Sequence, residues 1–237
     1  MRISGLQKLA MVDFPGKLAA TVFTGGCNLR CPFCHNAPLV NRVAETPELS
    51  EEDVLAFLKS RKGLLDGVVL SGGEPLLQHD AADFLKKVRE LGFAVKLDTN
   101  GCFPQVLADI LQQELVDYVA MDIKNSREKY CLTAGVPGLS MDKIEESMAF
   151  LLSDAVDYEF RTTVVRELHD EKDFQNMARW IPSLSSGKKA KRLFLQSFVD
   201  RTSVLCPGYS APEEGEMENF LTKIQIAAES AKIRGNE

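Results

Sequence analysis

"LAATVFTGGCNLRCPFCHN", residues 18–36, joins a short apolar run to a loop that carries three cysteines. Cys27, Cys31 and Cys34 are spaced C-x3-C-x2-C. Four thiolates would close a tetrahedral zinc site, and two would make a disulfide or a redox pair. Gly25 and Gly26 allow a tight turn before Cys27, and Pro32 stiffens the loop between Cys31 and Cys34. The apolar run before this loop reads as a buried strand, so the cysteines sit just past a strand end.

Outward from this stretch the same pattern repeats. "GVVLS" (67–71), "FAVKLDT" (93–99), "VDYVAMDIK" (116–124), "DYEFRTTVV" (157–165) and "KRLFLQSF" (191–198) read as further strands. Between them lie amphipathic helical segments at 50–61, 80–91, 104–113, 140–154 and 171–181, and a final helix is read over 213–232. Ser50 and Ser140 stand at N-cap positions, Pro104 opens a helix and Gly92 closes one. Six strand–helix alternations require crossover connections, and these make a parallel sheet. A complete eight-unit barrel takes ~250 residues, so six units predict a partial (β/α)6 TIM-like barrel forming one domain over 1–237. "SLSSGKKAKR" (183–192) reads as a mobile loop and the terminal "RGNE" as a frayed end.

Composition bounds the function. The chain has 237 residues, 45% of them hydrophobic and 26% charged, as in an ordinary globular protein with a core of its own. Net charge is −6 with no basic run, which gives no electrostatic reason to bind nucleic acid or an anionic membrane. No apolar window approaches the ~20 residues of a membrane span, and residues 1–5 do not begin a signal peptide. A cytoplasmic home follows, where thiols stay reduced and cysteines serve as ligands before bridges. Cys102, Cys131 and Cys206 are dispersed and read as buried structural cysteines.

Thiolates suit iron–sulfur clusters and zinc. A cubane cluster has four iron corners. Three cysteines hold three of them and leave one iron open to a small molecule. The competing readings are a Cys3His zinc site and three unliganded cysteines. Adjacent Cys34 and His35 rarely chelate one ion, so His79 or His169 would have to serve from afar. Other chemistry-bearing segments stand at later strand ends, where parallel α/β folds collect ligand groups: "SGGEP" (71–75), "DTNG" (98–101) and "MDIK" (121–124), with Arg161 and Thr163 within the next strand. All would face one mouth. Taken singly, Gly-Gly after a strand is an ordinary turn, Asp-Thr-Asn-Gly an Asx turn and Asp-Ile-Lys an exposed strand end.

The cysteine spacing, the aromatic residue before the last cysteine and G-G-E after the following strand together resemble the radical S-adenosylmethionine (radical SAM) superfamily. "VDFPGKLAATVFTGGCNLRCPFCHN" (12–36) is similar to the activating enzymes of glycyl radical enzymes, most of all to activating proteins of anaerobic ribonucleoside-triphosphate reductase. The resemblance implies a 4Fe–4S cluster held by Cys27, Cys31 and Cys34. Its open iron takes the methionine end of S-adenosylmethionine. One electron then splits this cofactor into methionine and a 5′-deoxyadenosyl radical, which takes a hydrogen from a glycine Cα of a partner protein. By the same resemblance Phe33 lies near adenine, and Gly72, Gly73 and Glu74 bind the methionine ammonium. Asp98, Thr99 and Asp122 match positions linked to the cofactor and a monovalent cation. Lys124 is placed near the cofactor carboxylate, and Arg161 and Thr163 contact the cofactor. The implied partners are a glycyl radical enzyme and an electron donor such as flavodoxin or ferredoxin. The alternatives are an activase of another glycyl radical enzyme, a radical enzyme for a small molecule, and a non-enzymatic iron–sulfur electron carrier.

Overall fold

The computed structural model describes residues 1–41, 43–200 and 203–235. Its strands are β1 (Ile3–Ala10), β2 (Ala19–Thr24), β3 (Gly67–Gly72), β4 (Ala94–Thr99), β5 (Tyr118–Asp122), β6 (Asp157–Val164), β7 (Ala190–Ser197) and β8 (Ala228–Arg234). Helices are α1 (Ala37–Asn41), α2 (Glu51–Ser60), α3 (Ala81–Glu90), α4 (Pro104–Gln112), α5 (Tyr130–Thr133), α6 (Met141–Leu152), α7 (Glu171–Ser183) and α8 (Glu214–Ile224). All six expected strand–helix units are present, from β2–α2 to β7–α8, and the fold is α/β. Strand order in the sheet follows the sequence, β1 to β8. Among the described residues no helix is long and apolar enough to cross a membrane.

Backbone packing divides the chain into two compact units: 1–28, 36–99 and 103–120 form the first, and 29–35, 100–102 and 121–237 the second. In the first, β2, β3 and β4 run parallel, with Val22 opposite Leu70 and Leu70 opposite Leu97. Val68, Val69 and Leu70 are all fully buried, the near-continuous apolar run of a strand covered on both faces. Phe84, Leu85 and Val88 of α3 and Leu107 and Ile110 of α4 are fully buried too. Ser50 caps α2 by accepting a hydrogen bond from the Asp53 N–H at 3.0 Å.

In the second unit β6, β7 and β8 are parallel. Phe160, Leu193 and Leu195 are buried, as are Ile144, Met148, Leu151 and Leu152 of α6. Phe174 of α7 stacks on Phe220 of α8 with ring centroids 4.5 Å apart. Asp170 and Asp173 close a reciprocal capping box on α7.

Three expectations need correction. The final helix read over 213–232 stops at Ile224, and residues 228–234 form β8 instead. "AAESAK" favours helix locally, but pairing with β7 supplies backbone partners, and Arg234 docks bidentately on fully buried Glu159 with both contacts at 2.8 Å. The same guanidinium lies 3.8 Å from the Phe194 ring centroid. Arg234 is thus a strand end in the described residues, while positions 236 and 237 of "RGNE" lie outside them. Second, β1 is an extra strand, antiparallel to β2; two register irregularities break its alternation and hide it from a period-2 reading. Third, the loop read over 183–192 is narrower, because α7 runs to Ser183 and β7 starts at Ala190. Ser140 occupies the N-cap of α6 as expected, without a side-chain capping bond.

Phe84 is fully buried and Leu132 is 67% exposed. Phe84→Ala is expected to cost about 3–5 kcal/mol and Leu132→Ala no more than about 0.5 kcal/mol. Denaturant titration of the two variants against the parent protein checks the contrast; equal shifts would contradict the burial assigned to α3.

Candidate cofactor site

The first unit presents the ends of β2, β3 and β4. Two loop backbones meet there. Gly73 N–H donates to Thr24 O at 2.9 Å and Glu74 N–H to Gly26 O at 2.8 Å. A Cβ on Gly73 would fall 1.9 Å from Gly26 O, and one on Gly72 2.3 Å from Thr24 N. Gly26 and Gly72 also have φ of 95° and 121°, a region that side-chain-bearing residues rarely enter. The glycines of "SGGEP" therefore serve the close approach of two strand ends. Asn36, the last residue of the cysteine motif, donates from Nδ2 to Gly72 O at 3.1 Å. Sequence reading passed over Asn36; its only signal was its place directly after the cysteines.

Glu74 is fully buried. Its Oε1 accepts from Leu76 N–H at 3.0 Å and from Thr99 Oγ1 at 2.9 Å. The carboxylate thus joins the turn after β3 to the end of β4. Asp98 accepts from Ser71 Oγ at 2.9 Å, and its other oxygen lies 3.3 Å from Lys96 Nζ. Lys96 is 2% exposed and also reaches the Asp13 carbonyl. Gly72, Gly73, Glu74, Asp98 and Thr99, expected near one another, are brought together within this unit, as is Cys27, which follows Gly26.

The second unit holds the rest of the cysteine loop. Arg30 N–H donates to Ala134 O at 2.9 Å, and Cys34 N–H closes a turn on Cys31 O at 3.0 Å. Leu205 N–H donates to Cys34 O at 3.1 Å and Cys206 N–H to Pro32 O at 2.8 Å. Cys31 and Phe33 are buried. Gly135 has φ 67°, and a Cβ there would sit 2.1 Å from Arg30 O. Gly135 is therefore a further residue on which the loop depends, and sequence reading missed it because its partner is remote along the chain.

None of the six cysteines is in a disulfide. Cys206 is exposed and Cys131 half-buried. This corrects the reading of both as buried, since the segment carrying Cys206 lies over the cysteine loop at the surface. His35 Nε2 contacts Val199 O at 2.6 Å and its ring stacks on Phe198. His79 is 97% exposed. His169 is buried with both ring nitrogens on backbone groups. No three His, Cys, Asp or Glu side chains are grouped as a metal-ion site among the described residues.

Charge gathers at the end of β5. Asp122 accepts from Lys124 Nζ at 2.9 Å and from Arg161 Nε at 3.0 Å. Burial alone would raise the Asp122 carboxyl, but the two cations outweigh it and hold the group down at about 2. Burial works against the Lys124 ammonium, yet Asp122 and then the Cys31 sulfur raise it above the ordinary lysine value. A cation thus stands beside one of the three thiols. Three cysteines in one motif, one of them beside an ammonium, suit an anionic iron–sulfur group in the chemistry of the donor set. Thr163 shares the half-buried face of β6 with Arg161 and lies opposite Gln196 in the β6–β7 register.

Burial lowers the His169 pKa, so the ring is neutral in the folded protein. Unfolding exposes it to protonation. Stability due to His169 is therefore complete above about pH 6.5 and lost as pH falls below it, by at most about 1.4 kcal/mol per pH unit. His169→Gln should flatten this limb between pH 6.5 and 5 in denaturant titrations, whatever its effect at pH 7.5. An unchanged slope would assign the acid limb to other groups.

Residues 21–181 match the radical SAM superfamily. A glycyl-radical enzyme activating enzyme of Methanocaldococcus jannaschii is 36% identical over 187 residues, covering 76% of this chain and 75% of the relative. A pyruvate formate-lyase-activating enzyme of Clostridium pasteurianum is 31% identical over 200 residues, 81% of each chain. Among solved structures, a domain of pyruvate-formate lyase-activating enzyme from Bacteroides vulgatus has TM-score 0.57 at 20% identity, covering 71% of this chain and 99% of its own. A radical SAM methyltransferase from Sphaerobacter thermophilus has TM-score 0.73 at 13% identity, with coverage of 95% and 68%. These two structures share the fold. Superfamily members use a 4Fe–4S cluster and S-adenosylmethionine. The chain belongs to the radical SAM superfamily and, within it, to the activating enzymes of glycyl radical enzymes.

Proposed function

We propose that this activase installs the glycyl radical of an anaerobic ribonucleoside-triphosphate reductase. What supports the reading is the stretch 12–36, which resembles the activating proteins of that enzyme. The part of the stretch up to Cys27 is held together within the first unit. Phe14 is buried, Asp13 accepts from Thr21 Oγ1 at 2.5 Å, and the strand that follows leads directly into Gly25, Gly26 and Cys27.

Cys27, Cys31 and Cys34 would hold the cluster, and Phe33 would contribute to the adenine side of the site. When bound, the cluster and S-adenosylmethionine supply a 5′-deoxyadenosyl radical able to take a hydrogen from a glycine Cα. Gly72, Gly73 and Glu74 orient the methionine ammonium; the buried Glu74 carboxylate acts here also by fixing Thr99. Asp98 and Asp122 serve the cofactor and a monovalent cation, while Lys124, Arg161 and Thr163 serve its carboxylate end. Two cations around one Asp122 carboxylate support that assignment, because the cluster of charges favours a further anion. The chain passes between the two compact units several times, which supports one radical SAM domain over 1–237. A flavodoxin or ferredoxin supplies the electron, and the protein works in the cytoplasm.

Anaerobically reconstituted protein should hold about four iron and four sulfide per chain, and Cys31→Ala should lose most of both. Stoichiometric zinc without iron, in protein prepared with iron available, would overturn the cluster assignment. For the partner, the activase, reductase, reductant and S-adenosylmethionine are mixed anaerobically and the electron paramagnetic resonance spectrum is recorded. A glycyl doublet should appear on the reductase and vanish when its radical-site glycine becomes alanine. No doublet despite intact cofactor cleavage would reject this partner and return attention to other glycyl radical enzymes.

A further inference from the structure

The chain leaves β5 at Asp122, where regular sheet pairing ends. Three successive carbonyls follow, and each is met by a different buried side chain. Tyr130 OH donates to Asp122 O at 3.2 Å. Thr162 Oγ1 donates to Ile123 O at 2.9 Å. His169 Nε2 lies 2.9 Å from Lys124 O, which can only accept, so Nε2 donates there; its Nδ1 lies 3.1 Å from both Val165 N–H and Val165 O. The three donors are 0%, 1% and 5% exposed and come from α5, β6 and the turn before α7. Carbonyls past a strand end are ordinarily satisfied by water or by a local turn. Three dry, directional donors instead hold three consecutive peptide planes.

We infer that Tyr130, Thr162 and His169 are positioning residues that aim the Asp122–Lys124 segment at the cofactor. The inference rests on the reading of Lys124 as a group for the cofactor carboxylate. Lysine is a point charge on a flexible four-carbon stem, and its ammonium is already held by Asp122 at 2.9 Å. Only a backbone that does not yield sets how far that ammonium extends beyond Asp122. The ion pair does this only in part: Arg161 ties the Asp122 carboxylate to β6, but Lys124 hangs from the segment whose peptides the three donors hold. Fixing peptides 122–124 fixes both Cα–Cβ directions, and Ile123 N–H adds a fourth restraint by donating to Arg161 O at 2.8 Å. A merely structural role, satisfying buried carbonyls, would make the same contacts without coupling to Lys124.

Tyr130→Phe and Thr162→Val each remove one donor with almost no change of shape. Both are made in the parent protein and in a Lys124→Ala background, then reconstituted anaerobically. S-adenosylmethionine is titrated into each, and iron content is measured alongside. In the parent background each variant should keep its iron and weaken cofactor binding roughly three- to tenfold. With Lys124→Ala already present, the same changes should alter affinity by less than about twofold, since the group being aimed is gone. In cluster-free protein, hydrogen exchange at the Lys124 and Asn125 amides should quicken in both variants, and His169→Gln should retain more protection than His169→Ala. Equal weakening in the two backgrounds overturns the inference, as does unchanged affinity where Lys124→Ala alone is harmful. A silent Lys124→Ala overturns the cofactor reading of Lys124 itself, and the inference falls with it.

Discussion

The contact between two peptide backbones, at the ends of β2 and β3, conditions everything else in the first unit. Glu74 N–H reaches Gly26 O at 2.8 Å, a distance open only because residue 73 has no Cβ. With the loops in contact, Asn36 can cap Gly72 O and Gln78 can donate to Gly25 O at 2.8 Å. Glu74 is then drawn fully inside, where its carboxylate must be hydrogen-bonded to be tolerated. Leu76 N–H and Thr99 Oγ1 meet that requirement and carry the order of β3 across to β4.

The second unit reaches its order by charge and buried polar bonds. One carboxylate, Asp122, serves Lys124 and Arg161. Ser126 Oγ donates to the buried Asp173 at 3.0 Å, and Asn125 Nδ2 bridges Thr133 Oγ1 and Leu168 O. A buried polar network is stable only when its members are satisfied, and it then admits one conformation far better than an apolar patch would. The segment after β5 is therefore specified more sharply than its lack of regular structure suggests.

Much of this was legible in the residues. The six strand–helix units follow from apolar runs of strand length alternating with helical periodicity, and these depend on local pattern. Ser50 as a cap and Pro104 as a helix start are local as well. β8 was not legible, because residues 228–232, Ala-Glu-Ser-Ala-Lys, favour helix and are overruled by β7 and by Glu159, which pairs with Arg234 75 positions away. Among site residues, cysteine spacing named the thiols directly. The glycines of the G-G-E motif could be found, but their role as a backbone contact could not, since an open approach to a ligand and a close approach to another loop look alike in sequence. Gly135 lacked any local signature, Asn36 had only its place after the cysteines, and nothing local marked His169 as a partner of the Lys124 carbonyl.

The seat of the cysteine loop also sets an order of events during synthesis. Arg30 is anchored on Ala134, Cys34 on Leu205 and Pro32 on Cys206. When the thiols leave the ribosome, none of these anchors has been made. They come one after another, the last only once Leu205 and Cys206 have emerged. Until then the loop is a flexible tri-thiol peptide, open to adventitious metals and oxidants. A nascent chain stalled before Leu205 would carry the three cysteines without the backbone that seats Pro32 and Cys34.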